Sequence, residues 1–120
     1  MAKKHKKRSP SASTTHELRA RGYMTAVVEH WHHFAKKKID LFGFADIIAA
    51  RNVDGEQDIV LVQATSGTNH AARRKKILAE PKALEWIRAG GRVEVWSWRT
   101  LKLEGWMPRI EEITEEDFDG

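Results

Sequence analysis

Cysteine is absent from this chain of 120 residues. That excludes a disulfide framework and a thiolate metal site, and nothing asks for an oxidising compartment. No apolar run approaches the length of a membrane span. The opening stretch carries Lys3, Lys4, Lys6, Lys7 and Arg8, but no apolar segment of the kind a signal peptide needs follows it. The expectation is a cytoplasmic protein with no membrane partner. Internal repeats and an inter-domain linker are also missing, and 41% apolar content over this length is enough for one core, not two.

What is abundant is charge, unevenly placed. Five basic residues open the chain, and six acidic ones, Glu111, Glu112, Glu115, Glu116, Asp117 and Asp119, close it. The body between them holds sixteen basic against eleven acidic side chains, so it is more basic than the net charge of +4 implies. A basic body attracts polyanions through counterion release, which makes nucleic acid the expected partner. Basic bodies also serve ribosome binding or acidic protein partners. Composition divides the chain into a disordered basic arm over 1–13, a folded domain over 14–110 and an acidic tail over 111–120.

Within the domain, Thr14-Thr15-His16-Glu17 has the spacing of a capping box and predicts a short helix that runs to Gly22. Tyr23 to Trp31, rich in Val, Thr and aromatics, reads as a strand. His32 to Lys38 is a polar, basic connection, and Leu41 to Ala50 reads as a second strand with a bulge or bend near Gly43. Asn52-Val53-Asp54-Gly55 is a turn. Asp58 to Thr65 is almost continuously apolar up to Gln63, as a central strand covered on both faces should be. Ser66 to Asn69 breaks that strand and supplies caps for a helix from His70 to Ala79, and Pro81 opens another that ends at Gly90-Gly91. Val93 to Trp98 alternates as a strand does, and a last extended piece runs from Trp106 to Ile113.

Asp46 and Gln63 stand out because each lies among apolar strand residues, where a polar side chain is costly without partners. Gln63 and Thr65 share a strand face, as a metal ligand and its catalytic neighbour would. The plainer alternative has both polar residues near strand ends, satisfying loop backbone or water. Asp40 would share a face with Asp46 if the segment stays extended, as a third metal ligand or a structural acid. His30, His32 and His33 cluster around Trp31 and could join His16 or Glu29 around zinc, although the spacing is not that of a clean zinc site. Five tryptophans can stack on unpaired bases, but core packing explains at least three of them, and Trp96 with Trp98 forms either a core wall or a dimer surface.

The order helix, strand, strand, strand, helix, strand, with three local features on it, resembles the PD-(D/E)xK nuclease superfamily. Those features are Glu17 on the first helix, the segment Asp40-Leu41-Phe42-Gly43-Phe44-Ala45-Asp46, and Val62-Gln63-Ala64-Thr65-Ser66-Gly67 before a basic helix. The likeness is to the Holliday-junction-resolvase-like and bacteriophage endonuclease branches and spans roughly Thr14 to Trp98. It implies an α/β fold with the restriction-endonuclease-like αβββαβ core, a mixed central sheet flanked by helices. It also implies a metal-dependent endonuclease that hydrolyses phosphodiesters in structured or branched DNA, working as a homodimer, in the host cytoplasm if phage-encoded.

By that resemblance Asp46 takes the place of the first acid, Gln63 that of the second, and Thr65 falls where the lysine belongs. Asp46, Gln63 and Glu17 would hold Mg²⁺, or Mn²⁺, and no small-molecule cofactor is implied. Gln63 offers an amide oxygen without charge, so metal should bind more weakly than to two carboxylates. Thr65 cannot supply a positive charge, and a cation from Arg73, Arg74, Lys75 or Lys76 on the next helix, or from Lys36, Lys37 or Lys38, is a candidate to replace it. Lys36, Lys37, Lys38, Arg73, Arg74 and Lys75 are the expected DNA contacts. The same departures support a second reading, a catalytically inactive DNA-binding module on a nuclease scaffold. A third is a basic protein-interaction module.

Overall fold

The structure, a computed structural model, describes residues 5–118. The chain runs through α1 (Pro10–Ala20), β1 (Met24–Val27), a hairpin of β2 (His30–His32) and β3 (Lys37–Ile39), β4 (Ile47–Val53) and β5 (Glu56–Ser66). A 3-10 turn at Gly67–Asn69 leads into α2 (His70–Leu78) and α3 (Pro81–Arg88), followed by β6 (Arg92–Leu101), β7 (Gly105–Ile113) and a last 3-10 turn at Glu115–Phe118. Five strands form one mixed sheet in the order β1-β4-β5-β6-β7. Only β5 and β6 pair in parallel, because the helical crossover α2–α3 joins them. The fold is therefore α/β, a mixed five-stranded sheet with α1 on one face and α2 and α3 on the other. Among the described residues no helix is long and apolar enough to cross a membrane.

The continuous apolar run is the middle strand. Alternate residues of β5 serve two cores: Val60 and Val62 meet Leu18 of α1 together with Trp96 and Trp98, while Leu61 meets Ile77 and Ala83 beneath α2 and α3. Trp96 and Trp98 thus form a core wall. Their indole N–H groups, like those of Trp86 and Trp106, find partners: Trp98 donates to Thr14 Oγ1 at 2.8 Å, Trp106 to Ser13 Oγ at 2.8 Å, Trp96 to Glu94 Oε1 at 2.9 Å and Trp86 to the Arg92 carbonyl at 2.9 Å.

Those bonds explain the first departure from the sequence expectations. The helix begins at Pro10, four residues before the capping box, with Ser9 as N-cap accepting from the Ala12 N–H at 3.2 Å. Thr14 lies inside the helix and donates to the Pro10 carbonyl at 2.8 Å. Ser13 and Thr14 are buried because two tryptophans need hydroxyl acceptors there. Residues 5–8 also belong to the fold, with His5 bridged to Trp106 and the Lys7 ammonium 5.2 Å from that indole. The rest of the expected arm, residues 1–4, lies outside the described residues.

The other end departs likewise. Glu111 and Glu112 are in β7, followed there by the buried Ile113, rather than in a tail, and Asp119 lies outside the described residues. Both glutamates pair with β6, and His70 and Arg74 of α2 hold Glu111 while Arg92 of β6 reaches Glu112 at 3.4 Å. The expected strand from Tyr23 to Trp31 is split at Val28–Glu29 between the main sheet and the small hairpin. The strand expected from Leu41 begins only at Ile47, because Phe42 (φ 54°) and Gly43 (φ 82°) take left-handed conformations and turn the chain back.

At the end of the sheet where β4 and β5 join, Asp58 gathers the strands. It accepts from Tyr23 Oη at 2.6 Å, Arg51 Nε at 2.9 Å and Arg92 Nη2 at 2.8 Å. Burial pushes its carboxyl up, but these donors outweigh burial and hold it at about 2.

Candidate active site

A cleft of about 500 Å³ opens at the opposite end of β4 and β5, where β5 outruns its neighbour. The β4–β5 ladder ends at Ile47 opposite Val62, with Asp46 still donating its N–H to the Val62 carbonyl at 3.0 Å. Ala64, two residues further, has no ladder partner on that side. The Asp46 carboxylate accepts its N–H instead, at 3.2 Å to each oxygen. The backbone therefore fixes Asp46 at the root of the cleft, 4% exposed.

Gln63 lies beside it, 3% exposed, and donates Nε2–H to Asp46 Oδ2 at 3.2 Å. Its Oε1 is buried and has no hydrogen-bond partner. A buried amide oxygen left unpaired costs about 1–3 kcal/mol, so it marks a place where a donor or a cation belongs. Asp46 is strained in a second way. Burial pushes its carboxyl up to about 7; the Ala64 N–H opposes that shift, while the nearby Asp40 and Glu29 charges add to it. An acid pushed up by burial and by neighbouring acids gains most from an added positive charge.

The rim is basic. Asp40 and Lys76 pair at 3.0 Å, and Glu29 and Lys38 at 3.4 Å, all four lining the cleft with Arg73 and Thr65. The turn at Phe42–Gly43 brings Asp40 back to Asp46, not the extended strand on which their shared face was expected. A Cβ on Gly43 would stand 2.7 Å from Glu80 Oε1, so glycine also permits the close approach of this loop to the cap of α3.

The structure thus brings together Asp46, Gln63, Thr65, Asp40, Lys76, Lys38 and Arg73. It does not bring Glu17, which sits on α1 across the sheet and binds Arg21 at 2.8 Å and His5 at 3.8 Å. Nor does it bring all of the basic run. Successive helix residues point about 100° apart. His70, Arg74 and Ile77 consequently face the sheet, Arg73 and Lys76 face the cleft, and Lys75 faces away from both. Arg74 is committed to Glu111 at 2.8 Å and Asp117 at 3.0 Å, on the side of α2 away from the cleft. Lys36 and Lys37 are exposed on the β2–β3 hairpin.

A cluster behind the cleft escaped the sequence reading. His70 Nδ1 lies 2.7 Å from Ser97 Oγ and its Nε2 2.8 Å from Glu111 Oε1. Burial pushes Glu111 up, but the bonds from His70 and Arg74 outweigh it and hold the carboxyl below its usual range. Ser97 is 1% exposed, too buried for a nucleophile, so the arrangement is an anchor that ties the first turn of α2 to β6 and β7. Its only sequence signal is a lone His at a helix start.

Among the described residues no group of three or more His, Asp or Glu side chains is placed to hold a metal ion, at the histidines or in the cleft. A hard cation would find the Asp46 carboxylate and the unpaired Gln63 oxygen as its donors, with Asp40 near enough to be felt. No family model, no curated protein and no solved structure matches this chain.

Proposed function

We propose that the chain is a metal-dependent endonuclease on a restriction-endonuclease-like αβββαβ core, hydrolysing phosphodiesters in structured DNA. The observation that carries this reading is the pair at the root of the cleft, where a buried carboxyl pushed up to about 7 adjoins a buried amide oxygen with no partner. A divalent cation held by both groups would relieve both, the Gln63 amide turning so that its oxygen, and not the Nε2–H that now faces Asp46, meets the ion. Bound there, Mg²⁺ or Mn²⁺ would activate a water and neutralise charge on the scissile phosphate. Asp46 supplies the negative charge and Gln63 a neutral oxygen, while Ala64 N–H keeps Asp46 in place. Lys76, reaching in from α2, supplies the positive charge that Thr65 cannot. Arg73 and Lys38 hold the flanking phosphates. Cutting paired strands needs two clefts, so the proposal includes a homodimer.

A second reading, DNA binding on an inactive scaffold, draws on the same Asp46, which near neutral pH is only partly ionised. Labelled four-way junction, flap and linear duplex, incubated with Mg²⁺ or Mn²⁺ and either the intact chain or Asp46→Ala, separate the two. Metal-dependent cutting that the substitution abolishes is the expected result. DNA that is bound but never cut would leave the inactive scaffold.

A further inference from the structure

The hairpin of β2 and β3 leaves two large aromatic side chains outside any core. Phe34 is 96% exposed and Trp31 54%. A two-stranded hairpin is marginal by itself, and this one pairs with no strand of the main sheet, so exposed aromatics are not explained by its own folding. Its tip is nevertheless shaped. Lys36 takes a left-handed conformation (φ 51°), the Ala35 N–H donates to His32 Nδ1 at 3.0 Å, and the His32 ring lies 6.1 Å from the Phe34 ring. This turn projects Phe34 outward.

Around the aromatics cations predominate, although Glu29, next to His30 in the chain, pairs with Lys38 at 3.4 Å. Between His30 and Ile39 there are three lysines, three histidines and no acid. Protein–protein contact surfaces are depleted in lysine, whereas a basic surface with interleaved aromatics suits single-stranded nucleic acid, phosphates on the lysines and bases on the rings. The hairpin is also continuous with the cleft. Trp31 pairs with Lys38 across the hairpin, so the two side chains share a face, and Lys38 lines the cleft that holds Asp46.

We infer that the β2–β3 hairpin is a probe for unpaired nucleotides, with Trp31 and Phe34 stacking on bases next to the phosphate held in the cleft. This rests on the proposed action on DNA and names the substrate class: a strand with unpaired bases at a duplex boundary. Duplex DNA presents no base faces to such a probe and is held by the lysines alone.

The test is equilibrium binding by fluorescence anisotropy in EDTA, using a single strand, a forked duplex and a blunt duplex of equal length, with the intact chain and Trp31→Ala/Phe34→Ala. Both positions are exposed, so folding is checked by far-UV circular dichroism and melting. The expected result is a preference of about tenfold or more for forked and single-stranded DNA, lost in the double variant, with blunt-duplex affinity nearly unchanged. Equal loss on all three DNAs, or no loss, overturns the inference. So does self-association or binding to anionic vesicles that the substitutions abolish while DNA preference persists. Cleavage assays on the same samples keep the two proposals apart: cutting without fork preference removes the probe alone, and fork preference without cutting removes the nuclease alone.

Discussion

Replacing Asp46 by Asn should make the protein more stable while removing its proposed chemistry. In the metal-free fold the Asp46 carboxyl is pushed up to about 7, against 3.8 for the ordinary group. The folded state therefore keeps a proton that the unfolded chain releases, so stability falls as pH rises from about 4 to about 7 and levels off above. At about 1.36 kcal/mol for each pH unit between those values, the cost at about pH 8 is about 4 kcal/mol. Asn carries no charge to bury. Its Oδ1 can accept from the Ala64 N–H, and its Nδ2 can donate to Gln63 Oε1 once the Gln63 amide turns over, since Nε2 is the atom that faces Asp46 Oδ2. Urea unfolding in EDTA, followed by tryptophan fluorescence, should give nearly equal midpoints at about pH 4 and a variant midpoint higher by about 2 M at about pH 8, for a slope of about 2 kcal/mol per molar. Adding Mn²⁺ should raise the midpoint of the parent and leave the variant unmoved. A variant no more stable at about pH 8, or a gain independent of pH, would refute the buried-charge account of this site.

Three further perturbations probe the parts that hold the cleft in place. Asp58 is held at about 2, so the stability it contributes is present above about pH 4 and lost as pH falls through about 2, an effect of about 2 kcal/mol; Asp58→Asn should lower the melting temperature at neutral pH and flatten that acid limb. His70→Ala leaves Ser97 Oγ and Glu111 without their shared partner and should cost about 2–3 kcal/mol, with faster amide hydrogen exchange in α2 than in β4 as the local signature. Gly43→Ala puts a Cβ 2.7 Å from Glu80 Oε1 at a left-handed φ and should cost about 1–2 kcal/mol. Because the same turn sets the spacing of Asp40 and Asp46, calorimetry should also show weaker Mn²⁺ binding.

The sheet was largely legible from sequence because its signals are local. The unbroken apolar run at 58–65 reads as a central strand, and it is one because Val60 and Leu61 meet different cores on opposite faces. Pro81 and the Gly90-Gly91 pair likewise bracket α3 as written. What was not legible depends on contacts distant in sequence. The start of α1 is set by Trp98 and Trp106, more than 80 residues away, which claim Thr14 and Ser13 as acceptors. A capping box at Thr14–Glu17 cannot register that demand. The acids at 111–117 resemble a tail in composition, yet β7 pairs with β6 and Arg74 gathers Glu111 and Asp117.

The cleft divides along the same line. Asp46 and Gln63 are visible as polar residues in apolar strands, and strand alternation places Gln63 with Thr65 correctly. Glu17 is misplaced because a helix position gives no information about which sheet face the helix covers, and α1 covers the face opposite Gln63. Four consecutive cations, Arg73 to Lys76, look equivalent in sequence, but a helix separates them by about 100° each, so one turn sends Arg74 to Glu111 of β7 and Asp117 of the last 3-10 turn, and Lys76 to Asp40 in the cleft. A charge missing from one strand can thus be restored from another element with no trace in the local motif. Gln63 and Thr65 thus share their cleft with a cation that their own strand does not announce: Lys76, 3.0 Å from Asp40.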